Sequence, residues 1–343
     1  MGNVLTPEVL VGKSVTSATA DTAYLLLETE QIRDLFELVV DQNVMSAMGR
    51  LVNVQAPDQD IANVDIDDGQ MTGGLGATTQ MDAGDELSPV FAGVNLAPEP
   101  FEIRYPFETT RLPLWNIVGE RLEGTMDQLV GRYYFNQLEE VLIHGDTGGA
   151  NPAGYATGMM TTVDGWMTQA QANCNVYDHG GDDVRALLFE EMLDAMPDKW
   201  QGTEQQRAAM RFFVPSKVER KYKAWLKATR QTALGDMELT EDGGIAYSGI
   251  KLVGVPKMHT NDAGVLTQSA VASGLSQCLL CEPSNLLVGY NPQMRVFKHP
   301  RDDGKVLYVN LWGEYDCGFL NEDAVVVGVN VEPELAAAVE AEL

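Results

Sequence analysis

The residue types best suited to metal or redox chemistry in this sequence are four cysteines, Cys174, Cys278, Cys281 and Cys317. Cys278 and Cys281 have the CxxC spacing of zinc and thiol-redox sites. They stand in an apolar run at 276–290 that predicts a buried strand, and residues three apart in a strand face opposite sides of the sheet. One such pair, without a second pair or a nearby histidine pair, is a weak zinc signal. We therefore interpret both as buried free thiols.

The four histidines, His144, His179, His259 and His299, are scattered, and no two have the i, i+4 spacing of a zinc-binding helix. The sequence has neither the Gly-x-Ser-x-Gly turn of a serine nucleophile nor a GxxxxGK[ST] phosphate loop. We interpret the histidines as isolated polar or core residues. We expect no catalytic residue, no metal and no cofactor.

Acidic side chains cluster at three places, namely Asp65, Asp67 and Asp68; Asp82, Asp85 and Glu86; and Asp302 and Asp303. None of these clusters has the ligand spacing of a calcium loop with its distal glutamate. We interpret them as solvated turns. A cation bound at a contact between copies of the chain is the alternative.

Basic side chains are concentrated in one segment, with Lys217, Arg220, Lys221, Lys223, Lys227 and Arg230. Our interpretation is an exposed helix face, with the apolar residues between them turned inward. An electrostatic contact with an acidic neighbour or with DNA is the alternative. A net charge of -27 argues against a broad surface for nucleic acid, because phosphate binding requires Lys and Arg.

The helices that position these residues are predicted from apolar residues at spacings of three and four. They are expected at 28–49, 117–144, about 183–196 and 216–231. Gly145 ends the longest helix, as a C-terminal glycine does. Asp182 or Asp183 is predicted to cap the third helix, and Pro197 to stop it.

Strands are predicted at 51–64, 99–112, 211–215, 245–258 and throughout 285–331. In the last of these, Asp302-Asp303-Gly304 marks a hairpin turn between two alternating runs. Between the first two, residues 65–98 are rich in Gly, Asp and Thr and poor in large apolar groups, so this segment should project and need partners. The mixture predicts an α+β class, without a membrane span or a secretory signal.

The succession of arm, projecting loop, long helix, Gly-Asp turn, helix, strand, helix, sheet and long hairpin resembles the Hong Kong 97-like major capsid proteins of tailed double-stranded DNA viruses. YYFNQLEEVLIHGDTGGANPAGY resembles the family's long helix running into a Gly-Asp-Gly turn, although Thr147 stands where the family often has glycine. RFFVPSKVERKYKAWL, YSGIKLVGVPKM and WGEYDCGFLNEDAVVVGV resemble its axial strand and helix, its next short strand and its closing strands. The resemblance covers roughly residues 30 to 331.

The resemblance implies a division of the chain into five segments. These are an N-terminal arm and helix (1–50), strands and an extended E-loop that lies over a neighbouring subunit (51–112), a peripheral domain with the spine helix (113–202), an axial domain (203–284), and closing long strands of the peripheral domain (285–343). Some members cross-link a lysine of this loop to a neighbour's asparagine. Here no lysine occurs between Lys13 and Lys199, so we expect no such bond.

The function implied is structural and not enzymatic: self-assembly into hexamers and pentamers of an icosahedral head that encloses double-stranded DNA. The expected partners are copies of the chain itself, a portal, scaffold or decoration proteins, and packaged DNA by weak non-specific contact, with no membrane. The location would be the virion, and the host cytoplasm during assembly. An encapsulin-type compartment holding a cargo enzyme is the alternative, and an acidic α+β hydrolase is the third hypothesis.

Two expectations concern processing and host. No long helical leader is seen, so the mature chain should begin at or next to Met1. The 50 acidic residues against 23 basic ones, spread along the chain, suggest a virus of a halophilic archaeon, since concentrated salt would screen the repulsion between copies. The alternative is an ordinary acidic, solvated surface.

Overall fold

A computed structural model describes residues 24–26, 44–55, 57–66, 89–108, 122–152, 155–229, 244–258, 275–292, 295–300 and 306–332. Its helices are α1 (Val44–Met48), α2 (Leu122–His144), α3 (Trp166–Asn173), α4 (Ala186–Asp194), α5 (Asp198–Gln201), α6 (Glu204–Ala209) and α7 (Ser216–Thr229). Its strands are β1 (Tyr24–Leu26), β2 (Arg50–Asn53), β3 (Gln59–Ile66), β4 (Pro89–Leu96), β5 (Glu99–Glu108), β6 (Asn175–Asp178), β7 (Arg211–Pro215), β8 (Ala246–Tyr247), β9 (Ile250–Val255), β10 (Ser276–Cys281), β11 (Leu286–Tyr290), β12 (Arg295–Pro300), β13 (Val306–Phe319) and β14 (Val325–Val331). Separate helical layers and largely antiparallel sheets give the predicted α+β class.

The first sheet has the order β1-β12-β13-β11-β2, and β5 pairs with β13. β13 is long enough to pair with β5 along its first ten residues while its opposite edge pairs first with β12 and then with β11. The predicted strand at 99–112 is confirmed over 99–108 by β5, and residues 109–112 lie outside the described part. The predicted hairpin strands β12 and β13 do pair antiparallel, and the turn at Asp302-Asp303-Gly304 lies outside the described residues.

The second sheet has the order β6-β14-β10-β7-β9-β8, with β10 in its interior. β14 follows β13 in the chain but leaves the first sheet and pairs with β10 and β6. The second sheet therefore combines strands from several predicted segments. β6 and β14 come from the stretches assigned to the peripheral domain, whereas β7 and β10 come from the stretch assigned to the axial domain. The boundaries at 113–202, 203–284 and 285–343 stay predictions.

Helix α2 lies in the main core, where its buried side chains meet both sheets and α3. The described part of the predicted 117–144 helix begins at Leu122, and it ends at His144 as expected. Gly145 is required at this end because a Cβ there would collide with the carbonyl oxygen of Val163. The Gly145 oxygen also accepts a hydrogen bond from the Gly165 amide at 2.9 Å, which brings α3 against the end of α2.

Helices α4 and α7 cover the other face of the second sheet. Phe189 of α4 packs against Tyr222 of α7 with 4.7 Å between ring centroids, within a second core cluster. The predicted helix cap at Asp182 or Asp183 is wrong: α4 begins at Ala186, and Arg185 at the N-cap makes no side-chain capping bond. Asp183 instead forms a β-bridge with Glu332, and its carboxylate pairs with Lys221, so it is not available to cap the helix.

The N-terminal arm and most of the first predicted helix lie outside the described residues. Only α1, at the end of the predicted 28–49 helix, is described. β3, which lies mostly in the predicted strand at 51–64, pairs antiparallel with β4 of the predicted excursion at 65–98, from Gln59–Leu96 to Ile66–Pro89, and the two form a ribbon. Residues 67–88, which contain most of two acidic clusters, lie outside the described part.

Candidate functional site

The two cysteines of the CxxC pair face opposite sides of β10, as predicted. Cys278 is buried in the core beneath α4 and α7, whereas Cys281 is buried in the core around α2. Burial raises the pKa of both thiols above its usual value, so they remain protonated at neutral pH. A metal or a redox reaction needs thiolates that converge, and these two do not.

The described histidines make separate hydrogen bonds. His144 Nε2 lies 3.1 Å from the carbonyl oxygen of Lys257, and His179 Nδ1 lies 3.1 Å from the hydroxyl of Tyr177. His259 lies outside the described residues, and the side chain of His299 is not described. Among the residues that the structure describes, no three His, Cys, Asp or Glu side chains converge as a metal site would require.

Buried polar groups at the end of α2 hold the Gly-Asp turn in place. Glu140 is only 5% exposed; its carboxylate accepts hydrogen bonds from Tyr155 and from Lys257 Nζ, the latter at 3.1 Å. Burial and the neighbouring carboxylate raise the pKa of Tyr155, so it stays a donor. This cluster joins α2, the turn and the chain after β9. Because the Glu140 carboxylate is paired with Lys257, we interpret the cluster as stabilising the fold.

Glu139, next along the helix, fixes α1 on the core. Its Oε1 accepts the backbone N–H of Met45 at 2.9 Å, at the first turn of α1. Burial raises the pKa of Glu139, and the hydrogen bonds from α1 amides partly oppose that rise. The sequence showed Glu139 only as a polar position on a helix, because its partner is 94 residues away.

The described part of the basic run, which excludes the side chain of Lys227 and all of Arg230, divides into an inward and an outward part. Lys221 is 4% exposed, with Nζ 3.3 Å from Asp183 Oδ1 and 3.0 Å from the carbonyl oxygen of Glu332. The predicted exposed face is therefore wrong for Lys221, which pins the end of β14 to α7. Lys217 and Arg220 are exposed, as predicted.

The β3–β4 ribbon forms a sheet of its own, separate from the two larger sheets. Its base rests on a small cluster of Val54, Leu96 and Leu287, and the Ala97 amide donates to Asp316 Oδ2 at 2.8 Å. Beyond that base the two strands pair with each other alone within the described part of the chain. A two-stranded ribbon is marginally stable in water by itself.

Strand β5 is a long outer strand of the first sheet, and such edges invite pairing with other chains. It contains Pro100 and Pro106, which lack the N–H needed to continue a ladder. The two prolines are an even number of residues apart, so their backbone nitrogens point to the same edge of β5. A strand added at that edge would find two N–H donors missing. A partner at this edge would have to use side chains for its contacts, and Tyr105 is 44% exposed there.

No protein-family model matches the chain. The chain is 25% identical over 218 residues to YqbE of Bacillus subtilis strain 168, described as a prophage capsid protein. The match covers 63% of this chain and 65% of that relative, just under two thirds of its length.

Solved structures share the fold over nearly the whole chain. The satellite phage P4 procapsid matches with a TM-score of 0.61 at 12% identity, over 94% of this chain and 95% of that one. The cyanophage A-1(L) capsid matches with a TM-score of 0.57 at 12% identity, over 97% and 100%. The SrpI encapsulin complex of Synechococcus elongatus PCC 7942 matches with a TM-score of 0.52 at 11% identity, over 95% and 96%.

The fold is thus the α+β, Hong Kong 97-like capsid fold that the order of elements predicts. Within that class the chain resembles phage major capsid proteins, with the B. subtilis prophage protein as a relative in sequence. No helix in the described ranges is both long enough and apolar enough to span a bilayer.

Proposed function

We propose that this chain is the major capsid protein of a tailed double-stranded DNA virus and that it self-assembles into the hexamers and pentamers of an icosahedral head. The observation that carries the proposal is that the comparison of folds and the comparison of sequences both point to phage capsid proteins. The fold matches phage capsids over at least 94% of the chain, and the sequence relative is described as a prophage capsid protein. Among the described side chains, those of the ribbon that pack on its own subunit lie at its base, which suits a surface supplied by a neighbour further out.

The second candidate is an encapsulin-type compartment around a cargo enzyme, because an encapsulin shares the fold over 95% of the chain. The relative in sequence favours the viral role. The two functions differ in their partners: a viral head requires a portal and packaged DNA, whereas a compartment requires a cargo protein. Mass spectrometry of particles purified from the native source separates them, because portal peptides support the head and a stoichiometric enzyme supports the compartment.

The proposed parts of the subunit follow from the fold. The first sheet and α2 form the peripheral domain, the second sheet with α4 and α7 forms the axial domain, and the ribbon with the segment beyond it forms the E-loop. Under this proposal β6 and β14 belong to the axial domain, since they pair within the second sheet. The subunit would have no catalytic role and would reside in the virion after assembly in the host cytoplasm.

Expression of the full chain alone, followed by negative-stain microscopy across a range of salt concentrations, tests the proposal. Closed shells of uniform diameter with six-fold and five-fold capsomers support it. A monodisperse monomer or small oligomer at every salt concentration would rule it out and would reopen the hypothesis of an acidic hydrolase.

A further inference from the structure

Two helices on the same face of the second sheet carry opposite charges. The segment 178–198, which contains α4, has seven acidic residues and one basic residue. The segment 211–230, which contains α7, has seven basic residues and one acidic residue. The whole chain has only 23 basic residues, so their concentration at α7 is far above the average for the chain.

Lys217 and Arg220 form what we call the α7 basic face. Both are exposed, and neither has a carboxylate within ion-pair distance among the described residues. Arg220 Nε donates to the Ser216 carbonyl oxygen of its own helix at 3.2 Å. The neighbouring charges are already compensated, since Lys221 pairs with Asp183 and Lys223 pairs with Glu219 at 2.7 Å. The positive charge of this face is therefore available to a partner.

Leu187, Glu190 and Asp194 form what we call the α4 acidic face. Their spacing of three and four residues puts them in one stripe along the helix, opposite the buried Leu188, Phe189 and Met192. Glu190 and Asp194 are exposed, and no ion pair is found for either in the described part of the chain. Leu187 is 51% exposed and adds an apolar surface to the stripe.

We propose that the α7 basic face of one copy docks on the α4 acidic face of the next copy. This inference rests on the proposed self-assembly and names one of its contacts. The aliphatic stems of Lys217 and Arg220 can cover Leu187 while their charged ends reach Glu190 and Asp194. Each copy presents both faces, so one contact leaves an acidic and a basic face open for further copies, which is the condition for a head-to-tail ring.

DNA is the competing partner for a basic helix face, and the charge of the chain disfavours it. Phosphate binding gains free energy with each neutralised phosphate, and the α7 basic face offers few charges on a subunit of net charge -27. A neighbouring copy supplies carboxylates at matched spacing. Complementary charge of this kind determines which surfaces meet and in which register.

The test uses two reversed variants, Lys217→Glu/Arg220→Glu and Glu190→Lys/Asp194→Lys, at the lowest salt concentration at which the wild type forms shells. In the first variant both docking faces are acidic, and in the second both faces are basic, so each variant should lose at least tenfold in sedimentable shells. An equimolar mixture should recover shells that contain both chains, because acidic and basic copies can alternate. Arg50→Glu/Arg132→Glu changes two other exposed arginines by the same total charge and should assemble as the wild type does.

The outcomes are distinct. If the first variant alone forms shells but retains less DNA, the face binds DNA and the proposal is overturned. If folded variants, checked by circular dichroism, fail singly and also fail when mixed, the two faces do not meet and the proposal is overturned as well. If the wild type forms no shells at any salt concentration, the proposed function itself has failed, which is a separate result.

Discussion

The buried ion pair between α7 and the loop before α4 gives the sharpest prediction about stability. Lys221 is nearly inaccessible, while the side chain of Asp183 is 35% exposed and lies 3.3 Å from Lys221 Nζ. Asp183→Ala leaves the ammonium group buried without the Asp183 carboxylate, while the Glu332 carbonyl oxygen still accepts a hydrogen bond from it. Removing one partner of a fully buried pair costs about 3–5 kcal/mol. Because water reaches this pair from the Asp183 side, we expect a loss of about 2 kcal/mol in the free energy of unfolding.

Replacing the lysine should cost much less than removing its partner. In Lys221→Met the ammonium no longer has to be desolvated and the side-chain volume is kept, so the change should stay within about 1 kcal/mol. The double variant should resemble Lys221→Met, giving a coupling energy of at least about 1 kcal/mol in a double-mutant cycle. Urea unfolding of dispersed subunits, followed by circular dichroism, measures all four proteins. Equal losses in Asp183→Ala and Lys221→Met, with additive effects, would refute this reasoning.

Four further predictions concern assembly, covalent locking, salt and pH. Deletion of residues 70–92 should leave a folded subunit that forms no shells; normal shells from that deletion would disprove the E-loop assignment. Boiled particles should run as monomers on denaturing gels, since the loop has no lysine between Lys13 and Lys199, and a covalent ladder would contradict this. Dialysis from molar to about 0.1 M salt lengthens the screening distance from about 3 Å to about 10 Å, so shells of a halophilic virus should dissociate or melt much lower, whereas unchanged shells would remove the halophile proposal. The raised pKa of Glu139 means that the folded state binds more protons above the unfolded pKa of about 4.3, so this group costs stability as pH rises through its folded pKa. The melting temperature of Glu139→Gln relative to wild type should therefore improve between pH 4 and 7, and a constant difference would disprove it.

Sequence patterns within a short segment correctly predicted those helices and strands that depend on neighbouring residues. The spacing of apolar residues located α2, and Gly145 correctly indicated its C-terminal end. The structure explains this glycine, because a Cβ there would collide with the Val163 carbonyl oxygen. The CxxC spacing in an apolar run predicted a buried strand with its thiols on opposite faces, and β10 has this arrangement. The order of elements predicted the fold class, which the comparisons bear out.

What the sequence did not reveal depends on partners far away in the chain. Asp183 has the residue type of a helix cap, yet its carboxylate pairs with Arg185 and with the distant Lys221. The residues around Asp183 and Lys221 do not indicate the pair between them. From its place in the sequence, β14 is expected to pair with the preceding strand β13. It pairs instead with β10, which places it in the other sheet. Helix α3 was not predicted, because Thr, Gln and Asn weaken its apolar period, and its buried Trp166 and Met167 sit at adjacent positions.

The measurement that tests the central claim most directly is cryo-electron microscopy of the full chain purified after expression alone. We expect closed shells of hexamers and pentamers in which the β3–β4 ribbon lies on a neighbouring subunit. In the same shells the α7 basic face should meet the α4 acidic face of another copy. Particles in which the ribbon packs on its own subunit, or a protein that remains a monomer at every salt concentration, would contradict it.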